Sequence, residues 1–135
     1  MHSLNDHFVK FAFSSEGTGA ADDTYHLIPG RIEGHSFVQA LLENAAPSPA
    51  GTTPTSDVLL QATLDPDVAY DDTSTKWHTI LTFTQTNTGA TNEYKQAILT
   101  ASVSFGIRWR IKHSVGSAAG TPVYGHTIFL NFLKQ

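Results

Sequence analysis

Cysteine is absent from the sequence. That excludes disulfides, thiol nucleophiles and thiolate metal sites, so the chain must be held by packing, hydrogen bonding or association. Charge is sparse: 8 Lys and Arg stand against 12 Asp and Glu, a formal net charge of −4. Phosphate backbones are bound through clustered cations, so nucleic acid is not an expected partner. Long apolar runs are also missing. Nothing approaches the roughly 20 residues that cross a bilayer as a helix, and MHSLNDHFVKF lacks the basic-then-apolar order of a secretion signal. Neither a membrane partner nor an export signal is expected.

Motifs that carry chemistry are missing too. The sequence has no GxSxG elbow for a nucleophilic serine and no HxxxH or HExxH spacing for a metal on a helix face. Glycines sit in short polar loops rather than between a strand and a helix, which removes the phosphate-cradling loop. The acidic run DPDVAYDD lacks the Gly at the sixth position and the Glu at the twelfth that a calcium loop of the EF-hand type needs. No enzyme, cofactor or metal is therefore expected. Paired carboxylates on separate loops remain the one catalytic arrangement that spacing cannot judge.

What is present is period two. In SVSFGIRWRIKH, Ser102 to His113, the apolar residues Val103, Phe105, Ile107, Trp109 and Ile111 alternate with Ser104, Gly106, Arg108, Arg110 and Lys112. A pleated strand with one dry and one wet face requires that pattern, and a helix would scramble it. Fully extended, the stretch would run on the order of 40 Å, longer than most strands, so Gly106 is expected to bend it.

Similar alternation marks HFVKFAF from His7, DVLLQATL from Asp57, WHTILTFTQ from Trp77 and TIFLNFL from Thr127. Tyr25 to Ile28 reads as a short strand, Tyr94 to Ala101 as a further apolar one, and Val115 to Thr121 as a hairpin-like connection. The stretch Arg31 to Ala46 mixes helix formers with alternation at Val38, Ala40 and Leu42; without an N-cap it reads as a strand. Polar, Pro-rich or Gly-rich connections separate these runs, notably Pro47 to Thr55 and the acidic loop before Trp77. Seven to eight strands in one flat sheet would leave an apolar face wet. The expected fold is therefore all-β, a two-layer antiparallel β-sandwich of jelly-roll type. At 135 residues the chain suits a single domain over 1–135, with residues 1–6 as an N-terminal arm.

Three sets of residues are candidates for function. Asp65, Asp67, Asp71 and Asp72, with Glu93 and the Asp22/Asp23 pair, are oxygen ligands of the kind calcium takes, or simply a solvated turn. His2, His7, His26, His35, His78, His113 and His126 are spread along the chain, which reads as surface or hydrogen-bonding histidines. His78 and His113 are read as polar-face residues that would meet only if their strands neighbour. Arg108, Arg110 and Lys112 stand roughly 7 Å apart along one strand face. They form either a solvated face paired with acids across strands or a docking face for an acidic partner protein.

The run VLLQATLDPDVAYDDTSTKWHTI, a second core strand and then FGIRWRIKHSVGSAAGT together resemble small virion proteins of tailed bacteriophages. In those proteins a strand ends in a leucine and acidic turn, a Trp opens the next strand, and an Arg-x-Arg strand leads to a Gly-rich hairpin. Discoidin-like sandwich domains share a similar arrangement. The matching positions are Leu60 to Asp67, Trp77, and Ile107 to Gly116, about half the chain; Pro66 and a longer insertion stand where small residues are usual.

The resemblance implies a non-enzymatic capsid decoration or cement protein, or a neck or tail accessory, made in the host cytoplasm and located on the virion. Its partners would be the major capsid protein, other virion proteins and its own copies as a homo-oligomer. A carbohydrate-binding sandwich is the alternative, with Trp77, Tyr70 or Tyr124 on loops for sugar stacking and Trp109 in the core.

Overall fold

The computed structural model describes residues 7–17, 22–30, 32, 37–44, 53–87, 93–100 and 108–133. The proposed arm 1–6, the bend at Gly106 and the alternating residues Val103, Phe105 and Ile107 lie outside the described residues.

Nine strands are described: β1 (His7–Glu16), β2 (Asp22–Leu27), β3 (Phe37–Asn44), β4 (Thr55–Thr63), β5 (His78–Thr82), β6 (Thr86–Asn87), β7 (Glu93–Thr100), β8 (Arg108–Gly116) and β9 (Val123–Leu133). The first sheet has the order β1-β9-β3-β7 and the second β2-β8-β4-β5. The short β6 pairs with β4 beside β5, so together they fill one sheet position. Within each sheet the described pairs are antiparallel. Apart from the β4 to β5 and β6 run, each successive strand crosses to the other sheet. That is the winding of a jelly roll, and the expected all-β sandwich is what the chain forms. The ambiguous stretch is a strand over 37–44.

Alternation explains the layers. Along β9 the burial runs exposed or partial, then buried, at every second residue, with Tyr124, His126, Ile128, Leu130 and Phe132 inside. Val38, Ala40 and Leu42 of β3 meet them in the first sheet; Val58, Leu60 and Ala62 of β4 and Trp109 and Ile111 of β8 face them from the second. Trp109 packs edge-on against Phe132 at 4.9 Å between centroids. This end of the interlayer space is apolar.

Two connections depart from the expected pattern. The segment after β8 is not a hairpin, because β8 and β9 belong to different sheets; it arches across the sandwich. It is fastened there by a hydrogen bond from Gly17 N to Pro122 O. In β5 the alternation expected from Trp77 to Phe83 is lost, since a register shift opposite Leu60 and Gln61 displaces it and leaves Thr79 exposed.

Candidate functional site

The cationic row on β8 has partners within the chain. Arg110 is 2% exposed although it points away from the sandwich core. The acidic loop 64–77 folds back over that face and covers it. Arg110 donates to Gln61 Oε1 at 2.8 Å, Tyr70 O at 2.6 Å and Asp72 O at 2.8 Å. Its guanidinium lies over the Tyr25 ring at 4.2 Å and the Trp77 ring at 4.4 Å. Arg108 donates to the carbonyls of Pro66 and Val68 and also lies over Trp77. Lys112 pairs with Asp23 at 3.5 Å. Planar, fork-shaped guanidinium suits both tasks at once, bonding several carbonyls in plane while stacking on rings.

The loop's acids serve its own turns. Asp65 accepts from Asp67 N at 2.8 Å and pairs with Lys76, and Asp72 accepts from Ser74 N at 2.6 Å; these backbone donors hold both carboxyls below their ordinary pKa. Trp77 Nε1 donates to Ala69 O at 3.0 Å, which fixes the indole under the loop. Trp77 and Tyr124, expected to be open to solvent for sugar stacking, are both buried; Tyr70 remains 47% exposed. Among the described residues, no group of three or more His, Asp or Glu is arranged to hold a metal ion.

The histidines give the larger correction. His26 on β2, His113 on β8 and His126 on β9 converge at the end of the interlayer space opposite the Trp109–Phe132 contact. His113 was expected on a polar face, yet it shares parity with Trp109 and Ile111 and is fully buried. Its strand and that of His78 lie on opposite sides of β4, so the two do not meet. The real partners come from other elements. Ser56 Oγ stands 2.7 Å from His113 Nε2 and 2.8 Å from His126 Nε2. Ser15 Oγ stands 2.9 Å from His113 Nδ1 and 3.1 Å from His26 Nε2, and it also bonds Thr24 Oγ1. Phe13 packs against all three imidazoles at 5.1 to 5.4 Å between centroids.

Burial disfavours the charged imidazole, and neighbouring imidazoles add to the effect. His113 is pushed down to about 3 by desolvation and then by His126 and His26; His126 is pushed down to about 4 by desolvation; His26 is lowered for the same reason. At neutral pH all three are uncharged. A serine between two imidazoles invites comparison with a nucleophile and its base, but Ser56 is 1% exposed and His113 Nδ1 faces a serine rather than a carboxylate. No substrate carbonyl reaches Ser56 in this arrangement. The sequence did hold a signal for this cluster: Ser15, Ser56, His113 and His126 all occupy positions where their strands' parity demands an apolar side chain.

A second surface lies on the outer face of the first sheet. Register sets Phe8, Asn131 and Gln39 in one row and Lys10, Phe129 and Leu41 in the next. Phe8 is 72% exposed, and Lys10 Nζ lies over the Phe129 ring at 5.6 Å. These residues line a shallow groove of about 490 Å³.

No protein-family model matches the sequence, and no curated protein matches it. Among solved structures, a chain of infectious bursal disease virus, Gt strain, aligns at TM-score 0.49 and 10% identity over 98% of this chain and 34% of its own length. A chain from Bacillus endospore appendages, described as disulfide-linked pili, aligns at TM-score 0.37 and 12% identity over 100% of this chain and 96% of its own. This chain thus spans about a third of the viral one. Scores this low describe a loose likeness of strand arrangement, and the topology above stands on the strand pairing itself.

Proposed function

We propose that this chain is a non-enzymatic structural protein of a virion, a decoration protein that adheres to the outer capsid surface and to its own copies, with the major capsid protein as its partner and residues 1–6 as an arm of its single domain. The observation that carries this reading is the outer face of the first sheet, where Phe8, Phe129 and Leu41 lie together around a single described cation, Lys10. An apolar sheet face of this kind gains by being covered. A stable contact needs about 1,200–2,000 Å² of buried surface, which several copies on a symmetric shell would supply together. The groups that elsewhere perform chemistry support the same reading, because Arg110, Trp77, His113 and Ser56 are all engaged inside the fold. With no cysteine, adhesion here does not use disulfides.

The test is sedimentation with capsids and the temperature at which shells burst. The chain is expected to co-sediment and to raise the bursting temperature. The double substitution Phe8→Asp with Leu41→Asp is expected to abolish both while leaving the β-sheet circular dichroism intact. Unaltered binding by that variant would remove the basis of the proposal. Tyr70, exposed on the loop, keeps a sugar-binding alternative in view; a glycan array on which Tyr70→Ala binds no less than the parent chain would dismiss it.

A further inference from the structure

The hydrogen-bond order of the buried network follows from its one fixed terminus. Thr24 Oγ1 lies 3.1 Å from the backbone carbonyl of His113, which only accepts, so the threonine proton goes there. Thr24 must then accept from Ser15, and Ser15 Oγ in turn accepts from His113 Nδ1–H and from His26 Nε2–H. Neutral His113 has one N–H, so its Nε2 accepts from Ser56, and Ser56 accepts from His126 Nε2–H. The His26 Nε2–H is shared, since it also reaches Thr24 Oγ1 at 3.4 Å, and this order satisfies all of these contacts together.

The bonds also have a direction in space. Ser15 on β1 and His126 on β9 belong to the first sheet; Thr24, His26, Ser56 and His113 belong to the second. The contacts from Ser15 to Thr24, His26 and His113, and from His126 to Ser56, therefore cross the gap between the layers. Apolar packing joins the sheets at the Trp109 end, and this network joins them at the other.

We propose that the Ser15, Ser56, His113 and His126 network is an acid-sensitive latch: protonation of its imidazoles breaks the inter-sheet bonds and opens the polar end of the sandwich while the apolar end stays closed. A proton added to His113 Nε2 sets two N–H groups against Ser56 Oγ and leaves the serine proton without its acceptor. It also places a cation 5.0 Å from the His126 ring and 6.3 Å from the His26 ring. Among the described residues, the titratable groups facing the cluster are His26 from β2, Tyr124 and His126 from β9, and, along a groove of about 610 Å³ shared with His26 and His126, Glu43 from β3; β1 and β4 contribute only hydroxyls. Lys112 and Ser114 both bond the Asp23 carboxylate on the far face of the second sheet. The groove gives water, and hence the proton, a route to His126.

The sign follows from linkage. An unfolded or opened histidine takes its proton near 6.5, whereas folded His126 and His113 take theirs at about 4 and about 3. The open form therefore binds more protons between those limits. Closure is fully favoured above about 6.5 and weakens as the pH falls, about tenfold in the opening constant per pH unit for each imidazole released.

Hydrogen exchange on the full chain from pH 7.5 to 4.5, corrected for intrinsic rates, tests this. Amides of β1 near Ser15 and of β2 near Thr24 are expected to lose protection at that slope, while those near Leu130 and Phe132 keep theirs. His126→Gln retains an N–H donor toward Ser56 and cannot titrate, so its slope should fall by one proton. Equal protection at both ends throughout, or the same slope in the variant, would overturn the latch. A readout without any variant is the nitrogen chemical shift of the imidazoles at neutral pH. The Nδ1–H tautomer is expected for His113 and Nε2–H for His126 and His26, and His113 found as Nε2–H would overturn the proposal equally.

Discussion

Tyr124 carries its hydroxyl into the interlayer space beside His126, whose ring stacks on it at 7°. The oxygen is buried and has no hydrogen-bond partner among the described residues, and burial raises its pKa. Removing an unpaired polar atom relieves a desolvation cost, so Tyr124→Phe is expected to leave thermal stability unchanged or raise it by up to about 1–3 kcal/mol. A clear loss on thermal unfolding would mean that the hydroxyl has a partner. Arg110 is the opposite case, since its removal strands three acceptors and two ring faces. Arg110→Ala is expected to cost on the order of 3 kcal/mol, and Arg110→Lys, which keeps the charge but not the fork, part of that. Trypsin cleavage at Lys76 offers the check, because the loop should be cut faster in both variants. Of these residues, the sequence shows Arg110 only as a wet-face cation, because alternation records the strand's own pleat and not what later folds over it.

At the level of the elements, the arch between β8 and β9 and the end of β1 meet backbone to backbone. A Cβ on Gly17 would lie 2.6 Å from Val115 O, so the approach requires glycine. Gly17→Ala is expected to cost about 1–3 kcal/mol by forcing β1 away from β8, read as a lower midpoint in urea at an unchanged slope. Strand identity was largely legible. The Phe37–Asn44 strand, Thr55–Thr63 and Val123–Leu133 follow from spacing, since apolar residues at every second position suit a half-buried pleat. The route of the chain between strands was not. Val115 to Thr121 looks like a hairpin because its residues permit a tight turn, yet the strands it joins pair with other partners.

Taken whole, the molecule pairs the first of its described strands with the last, His7 opposite Phe132, so most of the fold depends on closing long loops. The two ends of its interior then differ in kind: one is packed with apolar side chains, the other is held by imidazoles and hydroxyls. The sequence by itself determined the two-layer β architecture and the side of β4, β8 and β9 that turns inward, because both follow from a steric period local to the backbone, whereas the bulge beside β5 broke that period. Its missing cysteines also closed disulfide and thiolate chemistry to the chain. Only the tertiary structure decided that His113 meets Ser15 across 98 positions of sequence and that a loop seals Arg110 from water. Those contacts depend on sheet order and on the reach of connections, which no short window of residues encodes.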